Sequence, residues 1–158
     1  MAAGARPFET VTQHMVDQLE SRGAIVVGDG SFGMRVVGTS RCQTQIEHLA
    51  GGRTRMGYGI EPGENHALFA ALLLPEMDNP DDWHAVRAIV RSVPLGLLER
   101  NVGKAFIEVL ALNHFNRAAC TAAICGGRYQ RPHDRDDDGN FVVRLDIVMP
   151  FQFRAPKL

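Results

Sequence analysis

At 158 residues and 17.4 kDa the chain has the length of one domain, since domains run to roughly 100–200 residues and a second core would starve the first. A composition 45% apolar and 22% charged excludes an intrinsically disordered chain. Seventeen Lys+Arg against eighteen Asp+Glu, net -1, exclude a large excess charge that would steer the whole molecule to nucleic acid or to an anionic membrane.

Phe8, Val11, Met15 and Leu19 recur at helical spacing and Gly23 follows at a stop position, which predicts a helix over 7–22. From Ala24 to Ile60 the composition is rich in Gly, Val and Thr, with turn pairs at Gly28-Asp29-Gly30 and Gly51-Gly52. Strands are expected near 24–28, 32–40, 42–49 and 54–60. Ala67–Leu74, the longest apolar run, is far below the ~18–20 residues that span a bilayer and reads as a central strand ended by Pro75. No membrane partner is expected. The first residues lack a basic stretch followed by an apolar one, so no secretory signal is expected and folding in the cytoplasm follows.

Asn79-Pro80-Asp81-Asp82 has the form of a helix start, and Trp83, Val86, Val90 and Val93 follow on one face. A second helix is expected over about 97–113, although Ala105–Leu112 alone also fits a buried strand. The strongest signal comes last. Phe141, Val143, Leu145, Ile147, Met149, Phe151 and Phe153 occupy every second position, which specifies a strand with one buried face, paired with about 121–130 through a loop at 131–140. The fold class is therefore a single α+β domain over 1–158, a twisted antiparallel sheet with helices packed on one face.

No pattern names a reaction, so the chain is expected to be no enzyme and to need no cofactor or metal. Asp134, Asp136, Asp138 and Gly139 match the first half of a calcium loop, but Leu145 stands where a bidentate Glu is needed and a strand follows, so the segment reads as a turn. His114, Cys120, Cys125 and His133 lack the paired spacing of a zinc site, and the cysteines fit an Ala-rich core as small apolar residues. Cys42 and His48 on one strand would stand about 20 Å apart at ~3.3 Å per residue, too far for a proton relay. Gly28 to Gly33 lacks the lysine of a phosphate loop and reads as a turn. Arg35, Arg41, Arg53 and Arg55 have few acids around them. They form a candidate surface for phosphate contacts, or a solvated edge that discourages strand pairing.

The order of elements, with Ala67–Pro75 leading into Asp81-Asp82-Trp83 and the stretch from Tyr129 through Arg135–Gly139 to Phe153, resembles tail terminator proteins of long-tailed bacteriophages. The resemblance implies a structural virion protein, made in the host cytoplasm, that forms a homo-oligomeric ring, commonly a hexamer. Such a ring caps the tail tube, joins it to the neck or head connector, and lets DNA pass. Arg35, Arg41, Arg53 and Arg55 would then face the lumen or a subunit interface. The same order, with Leu112–Asn116 before the last hairpin, is also similar to class I chaperones of type III secretion systems, dimers that hold an effector. Those usually end in a helix and are acidic, unlike Arg154–Leu158.

Overall fold

A computed structural model describes residues 10–51, 68–76, 84–126 and 141–156. Six strands, β1 (Met34–Arg35), β2 (Leu68–Pro75), β3 (Val86–Val90), β4 (Val93–Leu97), β5 (Ala118–Gly126) and β6 (Phe141–Leu145), join in the order β1-β6-β5-β2-β3-β4. Every neighbouring pair is antiparallel. With helices α1 (Gln13–Ser21), α2 (Gln43–Leu49) and α3 (Arg100–Leu112) this is an α+β domain built on an antiparallel sheet, as its sequence predicts.

The sheet curls until its ends meet. Just past β1, Val37 exchanges both backbone hydrogen bonds with Leu97 of β4, at 2.8 and 2.9 Å. This closes the sheet into a barrel and removes the open edges that an isolated sheet would offer. Closure depends on Gly96, whose φ is +150° and where a Cβ would stand 2.3 Å from the Val37 carbonyl oxygen. A side chain there would hold the two strands apart.

The register assigns the inner face. Ala71 lies opposite Cys120, Leu73 opposite Ala118, Ala122 opposite Leu145, and Ile124 opposite Val143, and all eight side chains are buried. Phe141, Val143 and Leu145 face inward and Arg144 outward, as the alternation requires. β2 is central and pairs with both β3 and β5.

The C-terminal alternation does not stay in the sheet. Ala24 and Val26 bond to Ala119 alongside the first half of β5, so the chain after Leu145 pairs instead with Ile25–Val27, through Val148, Gln152 and Arg154. Ile147 and Phe151 remain buried, while Met149 is half exposed, contrary to the expected buried stripe. Two further expectations are corrected. The stretch expected to be helical through Val93, with its break at Pro94 and Gly96, forms the β3–β4 hairpin, because pairing with β2 and the β-branched Val86, Ile89, Val90 and Val93 outweigh the preceding helix-start pattern. Residues 43–49, read as strand, form α2, whose Ile46 is fully buried.

The helices pack against this core. Thr12 caps α1, accepting from the Met15 amide at 3.2 Å. Glu99 caps α3, accepting from the amides of Asn101 and Val102. α3 settles its ambiguous sequence as helix and buries Phe106 against Phe151, edge to face with centroids 5.3 Å apart. Gly103 lets α3 approach the strand side, since a Cβ there would stand 2.4 Å from the His84 carbonyl oxygen.

Candidate anion-binding face

The turn at 28–33 is fixed from both ends. The Asp29 carboxylate accepts from the Ser31 hydroxyl at 2.5 Å and from the Ser31 amide at 2.9 Å, which holds its carboxyl below the usual range. Across the barrel wall the Asp146 carboxylate accepts from the Gly30 amide at 2.9 and 3.1 Å and from the Phe32 amide at 3.4 Å. Gly28 makes room for this, since a Cβ there would stand 2.3 Å from the Asp146 carboxyl carbon. Phe32 then lies buried on the outer side of the wall with Ala123 and Cys125. The turn is thereby stapled to β5 and β6, and β1 begins two residues later.

That anchoring sets the register in which Met34 lies opposite Leu145 and Arg35 opposite Arg144. Directly opposed side chains on neighbouring antiparallel strands have Cβ atoms about 4.5–5.5 Å apart, and like charges so placed repel. Arg35 is exposed and Arg144 half-buried. Among the described residues neither has a carboxylate partner: Asp146, on the same face two residues on, gives its oxygens to the turn amides. Arg41 is exposed on the short helical turn Thr39–Cys42 that follows β1. Two opposed guanidiniums without an acid can grip a phosphate oxygen pair, the geometry for which arginine is suited.

Of the four arginines marked in the sequence, Arg35 therefore lies on this face, Arg41 is exposed on the turn that follows β1, and Arg53 and Arg55 lie outside the described residues. Arg144 was missed as a partner. Its outward position was readable from the alternation, but its pairing with Arg35 needs the register, and the connecting chain between them spans over a hundred residues.

The other candidates separate. Cys42 and His48 lie on the helical turn and α2 rather than on one strand, and the Cys42 thiol donates to the Leu95 carbonyl at 3.1 Å and the Thr39 carbonyl at 3.4 Å. Burial pushes that thiol up, against the opposing Arg87 charge, so it is poorly suited to act as a nucleophile. Cys120 faces the barrel interior and Cys125 the outer wall, so they cannot ligate one ion. Burial pushes the Cys120 thiol far up, and the Asp146 charge adds to the effect. His114 is exposed at φ +60°. His133 and the cluster Asp134, Asp136, Asp138 and Gly139 lie outside the described residues. Among the described residues no three His, Cys, Asp or Glu side chains converge as a metal-binding group, and no helix is long and apolar enough to cross a membrane.

Comparison of the chain with family models, with curated proteins and with solved structures finds no match.

Proposed function

We propose that the chain is a non-catalytic structural module that contacts nucleic acid through its phosphates, using the outer face of β1 and β6. The observation that carries this reading is the pairing of Arg35 with Arg144 across two strands, without an acid among the described residues to neutralise them. A fold does not keep two like charges opposed for stability, because the arrangement costs a few tenths of a kcal/mol or more. An anion that bridges them turns that cost into affinity. The near-neutral total charge limits the contact to this patch, which suits weak, sequence-independent holding rather than tight capture.

In the setting that the sequence resemblance implies, a ring of these chains at the head end of a phage tail, the β1/β6 face lines the passage and slides along DNA. The ring joins tube to connector, and the arginines give the passing duplex a low-friction wall. The part of this reading that concerns the surface is tested by fluorescence anisotropy with a labelled 30-nucleotide duplex between 50 and 200 mM salt. Arg35→Glu with Arg144→Glu is expected to abolish measurable binding, and Arg35→Ala or Arg144→Ala alone to lower the slope of log affinity against log salt by about 0.9. Undiminished binding by the double variant would remove the face from the proposal. Native mass spectrometry tests the assembly: a closed ring supports the tail setting, and a stable dimer retaining an unfolded polypeptide supports the secretion-chaperone reading instead.

A further inference from the structure

On the side of the barrel where the C-terminal residues pair with Ile25–Val27, the backbone of one strand is half used among the described residues. Gln152 accepts from the Val27 amide at 2.9 Å and the Arg154 amide donates to the Ile25 carbonyl at 2.9 Å. Successive residues of an extended strand point their backbone groups to opposite sides, so the N–H and C=O of Phe153, between these two, point away from Ile25–Val27. Among the described residues neither group has a backbone partner. Its neighbour on the other side, Val26, is committed to Ala119 of β5, so Phe153 is the outer edge of this small extension of the sheet.

A groove of about 350 Å³ runs along that edge, bounded by the last turn of α3 at Val109 and Asn113 and by Arg22 and Arg154. Its floor is the aromatic pair Phe115 and Phe153, edge to face with centroids 5.1 Å apart, both half-buried. A second hollow of about 280 Å³ shares Arg22 and Phe115 with it and adds His114 and Arg117. Arg22 and Arg154 are exposed, and no carboxylate is among the described residues lining either hollow.

We propose that this groove binds an extended acidic peptide of a partner protein by strand addition at Phe153. The peptide's main chain pairs with the Phe153 N–H and C=O, an apolar side chain rests on the Phe115/Phe153 pair, and alternate acidic side chains meet Arg22 and Arg154. A free strand edge supplies affinity through main-chain hydrogen bonds, while side-chain pockets at every second residue supply specificity. Arg22 and Arg154, with no carboxylate among the described residues that line the groove, set the charge of the occupant. This is a different surface from the β1/β6 face, and it selects peptide over nucleic acid because it offers main-chain pairing that only a polypeptide can complete.

The probe is a fluorescein-labelled octapeptide of alternating Glu and Val, with a Lys-for-Glu version as control. The Glu peptide should bind and the Lys peptide should not. Arg22→Glu with Arg154→Glu should weaken binding about tenfold or more, since an exposed ion pair is worth up to about fivefold and reversal adds repulsion. Both residues are exposed, so an unchanged melting temperature will show that the variant folds. In the wild-type protein, amide exchange at Phe153 should slow when the Glu peptide is added. Binding that survives the double reversal, or a Phe153 amide that exchanges equally fast with and without peptide, overturns the proposal. So does displacement of the peptide by a thymidine oligonucleotide acting through the same two arginines.

Discussion

The β2–β5–β6 wall and the seam between β1 and β4 hold the same barrel by different means. The wall is a continuous ladder with buried apolar side chains on its inner face and Ala118, Ala119, Ala122 and Ala123 along β5, which let neighbouring layers approach. The seam has one residue pair, Val37 with Leu97, and relies on Gly96 and on the Cys42 thiol bound to the Leu95 carbonyl. At the start of β6, Gln43 of α2 imitates a strand partner: its amide oxygen accepts from the Phe141 N–H at 2.6 Å while its NH₂ donates to the Phe141 carbonyl at 3.1 Å. The wall is held by area removed from water and the seam by specific polar contacts. A substitution in the wall should therefore lower global stability, while one in the seam should open the barrel locally first.

Ile124→Ala, on the inner face of β5, gives the largest expected effect. Truncating a buried aliphatic costs about 2–5 kcal/mol through lost transfer energy and the cavity left behind. At about 2–4 °C per kcal/mol for a chain of this size, the melting temperature should fall by roughly 5–20 °C, as a single cooperative transition in calorimetry. A loss below about 2 °C would show that the wall does not carry the stability assigned to it.

Gly96→Ala should break the contrast in the other direction. The new methyl group meets the Val37 carbonyl oxygen, so the seam must part, at an expected global cost of about 1–3 kcal/mol. The diagnostic is local. Amide exchange at Val37 and Leu97 should accelerate by orders of magnitude, while amides in the β2–β5 ladder change only by the global loss. Uniform acceleration would mean that wall and seam form one cooperative unit.

The same contrast explains what was legible in the sequence. The wall announces itself: the Ala67–Leu74 run and the Phe141–Leu145 alternation are statements about burial, and burial decides both. The expected pairing of β6 with a strand over about 121–130 matches β5, Ala118–Gly126, for the same reason. The seam is silent because its contacts join residues far apart in sequence and use Gly and Cys in roles that no local pattern encodes. Asn79 to Asp82 followed by spaced valines satisfies a helix rule, yet β2 offers residues 86–90 an unpaired edge, and filling it outweighs local preference. At the candidate site, Arg35 was visible as an unpartnered cation. Arg144 was visible only as a polar residue between apolar ones, and their opposition depends on the register that Asp146 and the 28–33 turn impose.

The smallest expected effect separates stability from function at that site. In Arg144→Glu, a carboxylate replaces one of two opposed guanidiniums, so repulsion across β1 and β6 becomes attraction. A cross-strand pair of this kind contributes about 0.2–1 kcal/mol, and Arg144 is half-buried rather than desolvated, so the melting temperature should rise by roughly 1–4 °C. The gain should shrink in high salt, which screens a pair open to solvent. Duplex DNA affinity at 50 mM salt should fall in the same variant, because one phosphate contact is lost and the remaining Arg35 is neutralised by its new neighbour. A variant that is more stable and binds less is the signature of a charge placed for a ligand. If Arg144→Glu instead destabilises the protein and leaves DNA affinity unchanged, the arginine pair serves the fold, and the outer face of β1 and β6 is only a solvated wall.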